Sequence, residues 1–280
     1  MPASPHPAIA HALIPCGGKG TRMLSLTGGA PKELLPVAGV PVVERVAREC
    51  AESGVSDLLV VVAPGKEAIE ERLRPLAGTA GMPARIDFVV QPEARGLADA
   101  IRLGRDFAGR SPLAVALPDN LFVGDAPGVA QVAESYARTG KNVVAVVEIF
   151  AGEAERRGAT SAFPGRLDGD EFHIERIPDK GARTQTFDTG GARSAYTGVG
   201  RYVFEPELFA VIDEVERALA PGEELDDVPV MQRLLERGRL IGRRMRGRFL
   251  DVGLPEGYRE ADALLAATVP AGRAAGGPGA

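Results

Sequence analysis

Cysteine, histidine and lysine are all scarce in this 280-residue chain, and each scarcity narrows the chemistry. Cys16 and Cys50 are too few for a disulfide scaffold, and no His/Cys cluster has zinc-ligand spacing, so a reducing compartment is expected. The three histidines, His6, His11 and His173, fall outside every motif described below. No apolar run reaches the roughly 18 residues of a membrane span, and Met1 to His11 lacks the basic start and apolar centre of an export signal. A cytoplasmic protein with no membrane partner is expected. Excess positive charge is missing too. The 33 Lys and Arg against 38 Asp and Glu leave a net charge of −5, not the concentrated basic surface that nucleic acid demands. The one arginine cluster, Arg237 to Arg248, reads as the solvated face of a short strand or hairpin. Only five basic residues are lysine, namely Lys19, Lys32, Lys66, Lys141 and Lys180, which makes the position of each informative.

A hydrophobic content of 45% supports a core for one large or two small domains. Glycine (35) and proline (22) exceed their usual shares of about 7% and 5%, so turns and loops are prominent. Short β-rich apolar runs alternate with helical patterns through the first half, the signature of βαβ units around a parallel sheet. Strands are predicted at Ala8 to Pro15, Asp57 to Ala63, Arg85 to Gln91, Leu113 to Leu117 and Val143 to Ile149. Helices are predicted at Val42 to Ser53, Lys66 to Arg74, Leu97 to Phe107 and Val129 to Arg138. From Gly152 to Arg193 the periodicity weakens. Phe163 to Leu167 and Phe172 to Ile177 read as antiparallel strands of a small inserted β lobe. A strand at Tyr196 to Phe204, helices at Pro206 to Ala220 and Val228 to Arg237, a strand at Arg248 to Val252 and a helix at Pro255 to Ala267 follow. The expected fold is a three-layer α/β/α sandwich with a mixed, mostly parallel, Rossmann-like sheet. It forms one domain over residues 8–267, with halves at 8–150 and 151–267, and residues 268–280 read as a disordered tail.

The first strand runs into Gly17-Gly18-Lys19-Gly20-Thr21-Arg22-Met23, at the strand end where open α/β sheets bind ligands. A dinucleotide fingerprint would need glycine at Met23, and a P-loop would need its lysine after the last glycine, so both readings fail on spacing. A glycine turn whose N–H groups approach phosphates closely remains. Beyond it stand Pro31-Lys32-Glu33-Leu34-Leu35-Pro36-Val37 and Gly39-Val40-Pro41. Together these motifs resemble the sugar-1-phosphate nucleotidyltransferases, most nearly the UTP–glucose-1-phosphate uridylyltransferases.

By that resemblance Gly17, Gly18, Gly20 and Thr21 wrap a nucleoside triphosphate, and Arg22 and Lys32 contact its phosphates at the reacting centre. Gln91 and Gly96, in Gln91-Pro92 and Gly96-Leu97-Ala98, read a pyrimidine. An amide suits that duty because it donates and accepts at once. Asp119, in Leu117-Pro118-Asp119-Asn120, and Asp251, in Asp251-Val252-Gly253-Leu254-Pro255-Glu256-Gly257-Tyr258, are the implied ligands of Mg2+. On the sugar side, Ile177-Pro178-Asp179-Lys180-Gly181 aligns with the family's Ile-x-Glu-Lys-Pro, so Asp179 grips sugar hydroxyls and Lys180 takes the sugar phosphate, with Gly158 under the sugar. Asp179 for glutamate, Gly181 for proline, Arg157 for tyrosine and Ala195 for asparagine depart from the pattern, as does Ser25 for proline in the loop.

The function implied is Mg2+-dependent condensation of UTP with α-D-glucose 1-phosphate to UDP-glucose and pyrophosphate, with small molecules as partners and a homo-oligomer as the expected assembly. Two alternatives stand beside it. One is a glucose-1-phosphate thymidylyltransferase or another NDP-hexose pyrophosphorylase, the thymidylyl reading being disfavoured because Glu33 stands where those enzymes commonly carry glutamine. The other is a catalytically weakened sugar-nucleotide sensor, disfavoured by the two intact aspartates. Lys66 and Lys141, which match no motif, read as surface residues.

Overall fold

A computed structural model describes residues 9–150, 162–179 and 192–268. Thirteen strands are present among them: β1 (His11–Cys16), β2 (Pro36–Val37), β3 (Val40–Pro41), β4 (Asp57–Val62), β5 (Arg85–Val90), β6 (Leu113–Ala116), β7 (Asn120–Val123), β8 (Asn142–Phe150), β9 (Gly165–Asp168), β10 (Glu171–Ile174), β11 (Ser194–Phe204), β12 (Leu240–Arg244) and β13 (Arg248–Asp251). Nine form one mixed sheet in the order β5-β4-β1-β6-β11-β8-β12-β10-β9. The first four run parallel, β11 is antiparallel to both its neighbours, and β12 lies parallel to β8.

Period two along the central strands sorts the core into two layers. Ala12, Ile14 and Cys16 of β1, with Leu58, Val60 and Val62 of β4, face one layer, which the helices Val42–Glu52 and Gly128–Thr139 cover. Leu13, Leu59, Val61 and Val115 face the other, beneath the helices Leu97–Arg102, Leu208–Ala218 and Asp227–Glu236. Because both faces are covered, these strands read as continuous apolar runs rather than alternating ones. Each fully buried aliphatic side chain contributes about 1.5–3 kcal/mol.

Three expectations change on folding. The helix predicted from Leu97 to Phe107 divides into Leu97–Arg102 and Arg105–Ala108. Gly104 interrupts it where a Cβ would lie 2.8 Å from Leu13 Cδ1, so the backbone there rests directly on β1. The hairpin β9–β10 does not stand off as a lobe. It extends the edge of the main sheet through pairing of Glu171 and Phe172 with Arg243 and Gly242 of β12. That pairing also alters the arginine cluster, since Arg243 is buried rather than solvated.

Three arginines of this cluster converge on Asp170 in the hairpin turn. Arg243 Nη1 lies 3.4 Å from it, Arg244 Nη2 donates at 3.0 Å and Arg246 Nε at 2.9 Å. The Arg246 hydrogen bond, opposed by burial and reinforced by Arg244 and Arg243, holds the Asp170 carboxyl down at about 2. A depressed carboxylate stabilises the fold above its ordinary titration range and loses that contribution as pH falls toward its folded value. Asp170→Asn is therefore expected to cost about 1–2 kcal/mol near neutral pH, discounted for exposed Arg246, and the difference from wild type should vanish below about pH 2. Urea unfolding across that range checks it, and a difference independent of pH would show that the charge is not the cause.

Candidate active site

The carboxyl ends of the four parallel strands deliver the chemistry. β1 runs into the glycine loop, β4 leads to Lys66, β5 to Gln91, and β6 to Leu117-Pro118-Asp119. In the loop, Met23 is fully buried and anchors a 3-10 turn over Thr21–Met23, which leaves Thr21 and Arg22 exposed. Gly20, at φ 64°, occupies the left-handed region that opens this turn. Gly17 is required for a different reason, because a Cβ there would stand 2.3 Å from Gln91 Oε1. Gly18 faces open space and is exposed, on the side where a ligand can approach the backbone.

Lys32 begins a short 3-10 turn, Lys32–Leu34, that passes beside Gly20. Its Nζ donates to Asp119 Oδ2 at 2.6 Å, with both side chains largely buried. Asp119 and Asp251 lie 132 positions apart, yet strand pairing brings them together. β13 runs antiparallel to β7 with Asp251 opposite Asn120, and Val252 N donates to Asp119 O at 2.9 Å. Gly253 fills the cleft between the carboxylates, since a Cβ there would lie 3.0 Å from Asp119 Oδ2 and 3.1 Å from Asp251 Oδ1. Gly257 is forced as well, because its Cβ would fall 1.9 Å from Asp251 O.

The electrostatics divide the pair. Burial pushes the Asp119 carboxyl up, but the charge and hydrogen bond of Lys32, with Arg22 beyond, outweigh it and hold Asp119 below the ordinary carboxylate value. Burial lowers Lys32, and Asp119 more than restores it, so this amine stays protonated. Asp251 moves the opposite way. Burial and then the charge of Asp119 raise its carboxyl, and Gly253 N–H, Arg22 and Lys32 only partly offset them. Two carboxylates crowded about one cleft suit a hard divalent cation that draws its remaining ligands from water and phosphate oxygens. No group of three or more His, Cys, Asp and Glu that could hold a metal gathers among the described residues.

Gln91 is buried. Its Nε2 donates to Gly96 O at 3.2 Å and Asp99 Oδ2 at 2.8 Å, which braces the glycine loop against the start of helix Leu97–Arg102. Gly96, at φ 114°, needs to be glycine because a Cβ would meet Leu225 O at 2.3 Å. Asp179 Oδ1 accepts from Gln232 Nε2 at 2.9 Å. Gly158 and Lys180 lie outside the described residues. Among the remaining candidates, Arg22, Lys32, Asp119 and Asp251 form one electrostatic group beside Gly20.

Lys66 is not the surface residue expected from its lack of a motif. Its Nζ donates to Cys16 O and Gly18 O, both at 2.7 Å, and to Glu33 Oε1 at 2.9 Å, which makes it a buried tie beneath the loop rather than a surface charge. Arg201, likewise outside every motif, is fully buried and hydrogen-bonds Leu117 O and Asn120 O on either side of Asp119. The scarcity of lysine was the one available signal for Lys66; nothing local distinguishes Arg201 among so many arginines.

The model of the nucleotidyl transferase family matches residues 11–268. The chain belongs to that family. Curated relatives of this nucleotidyltransferase include the UTP–glucose-1-phosphate uridylyltransferase of Bacillus subtilis (strain 168), 28% identical over 89% of this chain and 88% of the relative. The enzyme of the same name from Staphylococcus epidermidis is 28% identical over 89% and 90%. A crystal structure of UDP-glucose pyrophosphorylase complexed with UDP-glucose superposes with a TM-score of 0.77 at 26% identity, covering 92% of this chain and 98% of that one. Nucleotidyltransferases of this family generally use a divalent metal. Among the described residues, no helix of this nucleotidyltransferase is long and apolar enough to cross a membrane.

Proposed function

We propose that this nucleotidyltransferase condenses UTP with α-D-glucose 1-phosphate to give UDP-glucose and pyrophosphate. The observation that carries the reading is the convergence of Arg22, Lys32, Asp119 and Asp251 at the rim of the glycine loop. In the reaction, an oxygen of the sugar phosphate attacks the α-phosphorus of UTP. A new P–O bond forms, the bond from that phosphorus to the bridging oxygen breaks, and pyrophosphate leaves with the electron pair. No general base is needed, because a sugar phosphate is already ionised near neutral pH. His11 stands at the amino end of β1, away from the loop, and His173 lies in β10.

Catalysis then rests on position and charge. Arg22 and Lys32 hold the triphosphate, with Lys32 oriented by its tie to Asp119, and the N–H groups of the glycine loop add fixed dipoles. Asp119 and Asp251 would hold Mg2+, which neutralises charge that develops on the phosphates. Gln91, whose Oε1 abuts Gly17, and Gly96 would read the pyrimidine, the amide oxygen accepting from its N–H. Asp179, positioned by Gln232, Lys180 and Gly158 serve the sugar phosphate.

Pyrophosphate release measured over four nucleoside triphosphates and several sugar 1-phosphates tests the reading. UTP with glucose 1-phosphate should turn over fastest and only with a divalent cation. A methyl group is worth about 1–3 kcal/mol of selectivity, so a preference of ten- to two-hundredfold for dTTP would reassign the enzyme to thymidylyl transfer. Silence on every pair, with UDP-glucose still bound in calorimetry, would identify a sensor.

A further inference from the structure

We infer that Lys66 is a positioning residue that presets the nucleotide-binding loop; the inference rests on the nucleotidyl-transfer reading above. Its ammonium has three protein acceptors: Cys16 O and Gly18 O, both at 2.7 Å, and the carboxylate of Glu33 at 2.9 and 3.0 Å to its two oxygens. Glu33 has a side chain only 1% exposed, and Lys66 is 12% exposed. An ammonium has three protons, and these acceptors use them all.

The consequence lies in the peptide planes. In a trans peptide the C=O and the following N–H point in opposite directions. Drawing the carbonyls of Cys16 and Gly18 down onto Lys66 therefore turns the N–H groups of Gly17 and Lys19 away from it. Gly18, between them, faces open space. A loop whose donors already point toward incoming phosphates need not reorganise when the triphosphate binds. The same ammonium also reaches the turn that bears Lys32, because Glu33 is the next residue and is held in the 3-10 turn Lys32–Leu34. Lys66 thus joins the glycine loop and the Lys32 turn from beneath. It enters from β4, which pairs with β1 in register, Val62 opposite Cys16, and so reaches the loop from the neighbouring strand end.

Arginine is a poor substitute at this position. A planar fork cannot meet three acceptors arranged around one nitrogen, so charge alone does not reproduce the geometry.

The test separates loop geometry from simple neutralisation of Glu33. Lys66→Met, Lys66→Arg and the double variant Lys66→Met/Glu33→Gln are compared with wild type for UTP affinity by calorimetry, kcat and melting temperature. Lys66→Met should weaken UTP binding roughly ten- to a hundredfold and lower kcat as well, and Lys66→Arg should restore only a small part of either. The double variant removes the stranded carboxylate, so it should recover the melting temperature lost in Lys66→Met while UTP affinity stays low. Recovery of both, or UTP binding unchanged in Lys66→Met, overturns the inference, because Lys66 would then serve only to neutralise Glu33 or to stabilise the fold. Wild-type protein that binds no UTP but does bind another triphosphate would instead overturn the choice of nucleotide; the comparison is then repeated with that triphosphate.

Discussion

Asp119→Asn lowers kcat by roughly a thousandfold or more while the protein remains folded. Two losses combine at one atom. Asn removes the charge that, with Asp251, makes the cleft around Gly253 attractive to a divalent cation. It also replaces the charged carboxylate that orients Lys32, whose Nζ now sits 2.6 Å from Asp119 Oδ2, with a neutral amide. Without the Asp119 charge, burial disfavours the charged form of Lys32, with only the weaker pull of Glu33 to oppose it. The fold should survive, because the backbone here is held by other groups: Asp119 O accepts from Val252 N, and Asn120 Oδ1 accepts from Gly200 N at 2.7 Å. Steady-state turnover at saturating Mg2+, with circular dichroism as the control for folding, decides it. Turnover within tenfold of wild type would remove Asp119 from the reacting centre.

Arg201→Met destabilises the protein by about 3–5 kcal/mol, the usual consequence of breaking a buried ion pair from one side. Arg201 has no solvent exposure. Its Nε and Nη2 donate to Glu49 at 2.8 and 2.7 Å, and the remaining donors satisfy Leu117 O at 3.0 Å, Gly200 O at 2.8 Å and Asn120 O at 2.7 Å. The guanidinium also stacks over Phe122, 5.2 Å from the ring centroid. Methionine fills some of the volume but leaves the Glu49 carboxylate without its countercharge and deprives Leu117 O, Gly200 O and Asn120 O of a donor each. In a chain of this size each kcal/mol shifts Tm by roughly 2–4 °C, so a fall on the order of 10 °C is expected in thermal unfolding. Glu49→Gln should recover part of the loss in combination with Arg201→Met, because it removes the unpaired charge yet keeps an acceptor for Val129 N, which Glu49 now binds at 2.9 Å. A loss below about 1 kcal/mol in the single variant would show that the pair is replaceable by apolar packing. Turnover should fall with stability, since Leu117 and Asn120 flank Asp119.

Local pattern carried much of this architecture. The apolar runs of β1, β4, β6 and β8 were legible because strands covered on both faces are apolar over most of their length, whereas β5, at the sheet edge and only partly covered, was legible from Phe88-Val89-Val90. The helix Val42–Glu52 was legible from its apolar stripe and from Gly54, which adopts φ 92° just beyond the helix end. The glycine loop, Lys32, Asp119 and Asp251 were legible as motifs, each a short run around one chemical group. The same reasoning was silent or mistaken wherever a residue's role depends on a partner from another strand. Gly96 and Gly17 look like ligand-facing glycines, yet each is also forced by a protein neighbour, Leu225 O and Gln91 Oε1. Arg243 looks solvated until β10 pairs with β12 and covers it.

By itself, then, the sequence determined the alternation of strands and helices, the glycine turn that follows the first strand, and the charged residue types available around it. These follow from side-chain volume, backbone freedom and charge, which are properties of residues and their near neighbours. Tertiary structure decided which of those residues act together. The order β5-β4-β1-β6 set Lys66 beneath the loop, and the register of β13 on β7 placed Asp251 beside Asp119. Pairing across long stretches of chain is selected by burial of the whole sheet, and no local run of residues encodes it.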